Sequence, residues 1–342
     1  MSISRRAFLR GTALTGAAAS VVTAKAASAR EPEAKAAPEN ALGMLFDSTL
    51  CVGCKACMVA CRQANGTHPE ITTKDPLWDA PLDLSANTLT VIKAWSSGAA
   101  EHKDDEADGY AFVKKSCLHC VEPACVSVCP VSAMTKDPKT GVVHHNPKAC
   151  IGCRYCVAAC PFGVPRFDFD KSIARLNKCE LCESRRAEGK ITACADVCPT
   201  GATLFGTVSE LAAEADRRHR LKPGEPALYP RRTVNSGDVH EKPAPHYQPR
   251  TYGAREVGGT QVQLLSAVSY NKLGYPTLPD KPFVETSEEI QHSLYKGMIA
   301  PAVLFGVLLI LVNRAHDHGS HGADGLDAHD LDEEAREGRD QR

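Results

Sequence analysis

Aromatic side chains are scarce in this 342-residue chain, at 6% of residues with two tryptophans among them. Hydrophobic residues of all kinds reach 43%. A core poor in large apolar groups needs other staples, and bound metal is one that small domains use. An excess of either charge is also missing: the formal net charge is −1, so no basic face points to nucleic acid. No Gly-rich dinucleotide fingerprint follows a strand, and there is neither a P-loop nor a C-x-x-C-H for haem. Cysteine is absent before Cys51 and after Cys198.

Between those limits stand sixteen cysteines in four runs. Cys150, Cys153, Cys156 and Cys160, closed by Pro161, fit the bacterial ferredoxin spacing C-x2-C-x2-C-x3-C-P. Cys51, Cys54, Cys57 and Cys61 repeat it, with Arg62 in place of the proline. Cys117, Cys120, Cys125 and Cys129 with Pro130, and Cys179, Cys182, Cys194 and Cys198 with Pro199, are looser versions. Three thiolates on a tight loop can cap three corners of a cubane, and the fourth points to a neighbouring cluster. The spacing therefore predicts four [4Fe–4S] clusters. Cys51, Cys54, Cys57 and Cys198 hold the first; Cys61, Cys179, Cys182 and Cys194 the second. Cys117, Cys120, Cys125 and Cys160 hold the third; Cys129, Cys150, Cys153 and Cys156 the fourth. All sixteen are used with none left over. Eight disulfides would not require x2, x2, x3 blocks. Structural zinc would not explain the third cysteine and the following proline. Four thiolates per cluster leave no iron open to substrate, so no catalytic residue is expected.

The expected fold is α+β: a duplicated two-cluster ferredoxin-like module of short strands, small helices and long loops. It covers residues 43–206, with an outer pair (43–62 and 172–206) split around an inner pair (110–171). Residues 63–109 form an insertion without a motif, expected to pack over the clusters or meet a partner. Gly43–Asp47 reads as a strand, and Ala133–Lys136 and Val142–His145 as a hairpin around Asp137-Pro-Lys-Thr-Gly141. Gly201–Phe205 reads as a closing strand. Thr207 and Glu210 form a capping box for a helix to about Arg220. His119 lies inside the second run and is expected to pack or hydrogen-bond rather than ligate. Arg154, Tyr155 and Lys178 flank ligands and can tune potentials.

The N-terminus carries Arg5-Arg6 before Phe8-Leu9, a mild Ala/Gly-rich run and a small-residue site at Ala27–Ala29. Residues 1–29 thus read as a twin-arginine signal, which exports proteins already folded. A general secretory signal fits less well, because the run is only mildly hydrophobic and Lys25 lies near the cleavage site. A linker (30–42) follows. Residues 207–292 form an extension whose Lys222–Pro282 part holds nine prolines, which predicts an extended arm lying on a partner or on the core. Gln261–Val268 can supply one strand in it. Gly297–Val312 carries no charge; as a helix it is about 24 Å long, and residues 293–314 read as a transmembrane anchor, with a buried soluble helix as the alternative. The tail, 315–342, carries His316, His318, His321 and His329 among acids and reads as disordered and solvated rather than metal-binding.

On these residues the chain resembles the four-cluster subunits of membrane oxidoreductases such as dimethyl sulfoxide reductase, formate dehydrogenase and polysulfide reductase. Gly43–Cys54, Lys136–His144, Gly258–Val262 and Ile290–Met298 look more narrowly like the HybA-type iron–sulfur subunits of hydrogenase-2. That resemblance implies a non-catalytic electron relay at the periplasmic face of the cytoplasmic membrane, anchored by its C-terminal helix with the tail in the cytoplasm. The implied partners are the small and large subunits of a nickel–iron hydrogenase and a HybB-type integral membrane quinone-binding subunit. The alternative is the same relay in a molybdenum or tungsten oxidoreductase.

Overall fold

The computed structural model describes residues 36–70, 79–169 and 175–320. The expected signal, the start of the linker and the tail beyond Ser320 lie outside these residues. The chain divides into two units, one spanning Glu33–Thr286 and holding every cysteine, the other containing the helix from Ser287.

In chain order the elements are β1 (Leu42–Asp47), α1 (Ala56–Asn65), β2 (Val91–Ser96), β3 (His102–Lys103) and β4 (Gly109–Lys115). There follow α2 (Ala124–Ser127), β5 (Met134–Lys136), β6 (Val143–His145), α3 (Tyr155–Ala159), β7 (Arg166–Phe167) and β8 (Leu176–Asn177). The larger unit ends with α4 (Glu183–Ala187), α5 (Ala193–Asp196), β9 (Thr203–Thr207), α6 (Val208–His219), β10 (Pro226–Pro230), β11 (Val239–Pro243) and β12 (Val262–Leu265). Helix α7 runs Phe283–Ser320.

Strand β1 reads Leu-Gly-Met-Leu-Phe-Asp, an apolar run without alternation, and is the middle strand of the sheet β12–β1–β9. A strand covered on both faces has no polar side to show. Met44 pairs with Val262 in parallel and with Phe205 antiparallel. At Gly43 an added Cβ would lie 1.9 Å from the Gln261 carbonyl oxygen, so only glycine admits β12 this close. Helix α6 starts at the capping box, where Thr207 Oγ1 accepts from Glu210 N at 3.3 Å and Glu210 Oε2 accepts from Thr207 N at 3.1 Å. Its Leu211 and Ala215 pack on Leu45, Leu204 and Leu265 from that sheet.

The hairpin β5–β6 turns where the Asp137 carboxylate accepts from the backbone N–H of Lys139 (2.7 Å) and Thr140 (3.2 Å). Strands β2 and β3 of the insertion flank β4 in a sheet, β2–β4–β3, with β2 and β4 antiparallel. Val91 and Ile92 of β2 belong to the main core together with Cys51, Cys57 and Cys194. The Pro-rich extension likewise returns to the core: it contributes the β10–β11 hairpin, strand β12 and the buried rings of Tyr229, Tyr252 and Tyr275. Helix α7 extends beyond both ends of the expected 293–314 span, and the first residues of the expected tail continue it as helix. Its Gly297–Arg314 segment has mean hydropathy 1.9 and exposed side chains, long and apolar enough to cross a membrane.

Candidate metal centres

The four cysteine runs share one backbone device. The residue before the second cysteine is left-handed in each: Gly53 (φ 68°), His119 (φ 48°), Gly152 (φ 72°) and Leu181 (φ 49°). Non-glycine residues are uncommon there, and the conformation turns successive N–H groups toward one concavity suited to an anion. Lys55 (φ 60°) and Arg154 (φ 65°) then open α1 and α3 in matching fashion. Where a proline follows the last cysteine, the third residue after that cysteine is left-handed: Ser132 (φ 50°), Gly163 (φ 61°) and Gly201 (φ 69°). Arg62 stands where the first run lacks the proline, and α1 runs on to Asn65. Helix α3, by contrast, stops at Ala159, before Cys160-Pro161.

These turns bring distant cysteines together. Cys51, Cys54, Cys57 and Cys198 line one cavity; Cys61, Cys179, Cys182 and Cys194 line a second; Cys129, Cys150, Cys153 and Cys156 line a third. Cys120 has Cys117, Cys160 and Cys125 as its charged neighbours, which forms the fourth group. Each foursome combines cysteines from two runs.

All sixteen cysteines are free. Burial pushes the Cys51, Cys57 and Cys179 thiols up to about 12 and Cys156 to about 11, and neighbouring thiols add to the rise. Such thiols stay protonated at neutral pH unless a metal ion displaces the proton. Cys129 Sγ accepts from the backbone N–H of Ala133 (3.2 Å) and Met134 (3.4 Å). Lys114, on β4, is fully buried and pairs with no carboxylate among the described residues; Nζ has Thr203 Oγ1 at 3.4 Å. Burial opposes its charge, yet attraction to the Cys194 and Cys57 sulfurs raises its pKa above that of ordinary lysine. A buried ammonium costs several kcal/mol unless an anion compensates it. Thiolate foursomes, inward N–H groups and an otherwise unpaired cation together fit anionic [4Fe–4S] clusters.

The foursomes form a row. Cys57 of the first neighbours Cys194 of the second, Cys179 of the second neighbours Cys117 of the third, and Cys125 of the third neighbours Cys156 of the fourth. Each end of the row has an exposed cysteine, Cys54 or Cys153, beside exposed apolar side chains: Val52 at one end, Ile151 and Tyr155 at the other.

His119 is fully buried, and its Nδ1 accepts from Val143 N at 3.0 Å, tying the second run to the hairpin. The Arg154 guanidinium lies 4.7 Å over the Phe169 ring. Lys178 Nζ donates to the carbonyls of Val143 and Cys179 and has Glu180 Oε1 at 3.8 Å. Lys114 is the residue that sequence reasoning missed. The signal for it is strand alternation: Tyr110, Phe112 and Lys114 share one face of β4, and Phe112 packs where a Cβ on Gly53 would stand.

A family model described as a 4Fe-4S dicluster domain matches residues 109–208. The chain is 46% identical over 327 residues to the hydrogenase-2 operon protein HybA of Escherichia coli O157:H7, covering 92% of this chain and 97% of that protein. It is 33% identical to the iron-sulfur subunit of the nitrate-inducible formate dehydrogenase of Escherichia coli K12, over 77% of this chain and 80% of the relative. The formate dehydrogenase-O iron-sulfur subunit of the same strain is 32% identical, over 80% and 81%.

Proposed function

Since this chain belongs to the HybA family of iron–sulfur electron-transfer proteins and carries four [4Fe–4S] clusters, we propose that it links a nickel–iron hydrogenase to a quinone-reducing membrane subunit. The gathering of sixteen cysteines into a row of four foursomes carries this reading. In it, Cys51, Cys54, Cys57 and Cys198 hold the first cluster, and Cys61, Cys179, Cys182 and Cys194 the second. Cys117, Cys120, Cys125 and Cys160 hold the third, and Cys129, Cys150, Cys153 and Cys156 the fourth. The residues fall into an outer pair (43–62 with 172–206) around an inner pair (110–171), a duplicated ferredoxin-like module.

Each cluster supplies one-electron transfer. The chain's own residues exclude water, fix the spacing of the foursomes and leave the two ends of the row accessible to partners. Every cluster corner is taken by a cysteine, which leaves no iron open to a substrate. The apolar, exposed Gly297–Arg314 segment of α7 supports a membrane anchor. The Arg5-Arg6 signal supports export in the folded state, with the clusters at the periplasmic face and the tail on the cytoplasmic side. Membership of HybA in a hydrogenase-2 operon supports the hydrogenase as partner. Likeness to two formate dehydrogenase subunits favours, as a second reading, the same relay in a molybdenum or tungsten enzyme.

Metal analysis of the complex that co-purifies with this chain from detergent-solubilised membranes decides between them. Nickel with abundant iron, and quinone reduction that depends on hydrogen, is the expected result. Molybdenum or tungsten without nickel overturns the hydrogenase, and recovery of the full-length chain from the soluble fraction overturns the anchor.

A further inference from the structure

One buried cation stands at the junction of two cysteine foursomes. Lys114 lines the same cavity as Cys61, Cys179, Cys182 and Cys194, and its Nζ lies 3.4 Å from the hydroxyl of Thr203, which lines the cavity of Cys51, Cys54, Cys57 and Cys198. Its strand β4 is held antiparallel to β2 at Ile92↔Lys114, and the residue is 3% exposed, so its ammonium is largely withdrawn from solvent. The second buried lysine, Lys178, differs in having a carboxylate, Glu180, at 3.8 Å. Glu180 also lines the cavity of Lys114, but among the described residues no carboxylate lies within ion-pair distance of it, and its hydrogen-bond partner there is the Thr203 hydroxyl at 3.4 Å.

We propose that Lys114 is a charge-setting residue for electron transfer, a fixed positive charge shared by the first and second foursomes that raises the reduction potential there. The inference rests on the cluster assignments proposed above. When a foursome's cluster accepts one electron, from its neighbour in the row or from a partner, the site gains one unit of negative charge. No bond forms or breaks and no proton moves. A cation in a dry, low-dielectric setting stabilises the more negative state, so the reduced form is favoured. Because Lys114 faces both foursomes, its charge moves both potentials in the same direction. The difference between those two potentials then changes little, while both rise relative to the third and fourth. The third and fourth foursomes lie further along the row, and distance attenuates the effect there.

The test is a redox titration of the full chain in its purified complex, followed by electron paramagnetic resonance. Signals of the first two clusters are identified by their change in Cys57→Ser and Cys194→Ser. In Lys114→Met, with iron and sulfide content unchanged, both of these midpoints are expected to fall. The size is about tenfold or more in the reduction equilibrium, about 59 mV for a one-electron couple. The other two midpoints are expected to stay in place, and Lys114→Arg to titrate like the unaltered protein. Four unmoved midpoints, or four that shift equally, overturn the proposal. If neutral Lys114→Met and Lys114→Gln both lose iron while Lys114→Arg keeps it, the charge is needed to balance the clusters, which supports the proposal. Loss in all three variants makes Lys114 a packing group and overturns it. An unaltered protein with fewer than four clusters refutes the cluster assignment itself, a separate failure.

Discussion

Replacing Arg218 by methionine removes the centre of a buried charge network and should destabilise the cluster domain strongly. Arg218 is completely buried; Nη1 donates to Asp47 Oδ2 at 2.7 Å and Nε to Glu214 Oε1 at 2.8 Å. The guanidinium also lies 5.2 Å over the Tyr229 ring. Asp47, itself fully buried, accepts further from Tyr247 Oη (2.7 Å) and from the N–H and hydroxyl of Thr49 (3.0 and 2.6 Å). Glu214 keeps a second partner, Arg217, at 2.7 Å. Methionine fills much of the volume but leaves the Asp47 charge with neutral donors only. Breaking a buried pair from one side costs about 3–5 kcal/mol, chiefly because the remaining charge is stranded. For a domain of this size, that corresponds to a fall of about 6–20 °C in unfolding midpoint. The assay is thermal bleaching of the visible iron–sulfur absorption at fixed heating rate, since cluster loss makes unfolding irreversible. Adding Asp47→Asn removes the stranded charge and should restore about 1–3 kcal/mol of the loss. An unchanged midpoint in Arg218→Met refutes the reasoning. So does a double variant weakened by the full sum of the two single effects, because the charges would then be uncoupled.

Two further variants probe the sheet and the ligand exchange. Gly43→Ala sets a methyl 1.9 Å from the Gln261 carbonyl and must push β12 from β1. A loss of about 1–3 kcal/mol is expected in the same bleaching assay, and wild-type stability would show that the strands separate without cost. Cys129→Ser and Cys160→Ser should disturb different clusters, the fourth and the third, although both residues close a run of the inner pair. Spectroscopic loss of one and the same cluster in both variants contradicts the exchange of ligands between runs.

Much of the site was legible in the sequence because its determinants are local. Two residues between successive cysteines and a proline after the last act within about one turn of chain, and spacing records them directly, whereas the left-handed backbone of His119 and Leu181 has no such mark. The capping box at Thr207 and Glu210 and the Asp137–Gly141 turn were readable for the same reason. The nine prolines of Lys222–Pro282 ruled out long helices there, but not where the segment lies. Tertiary structure alone decided that it returns to the core and lays β12 parallel beside β1, since that pairing depends on the missing side chain of Gly43 and on what faces it. Asp47 and Arg218 are 171 residues apart, and neither has a local mark of burial. The same holds for Lys114. A lysine at the end of a strand is ordinarily a solvated charge, and only the packing of β2, β4 and two cysteine foursomes around it removes the water. Whether a charge is inert or decisive depends on the dielectric and the counter-charges around it, and those are properties of the fold.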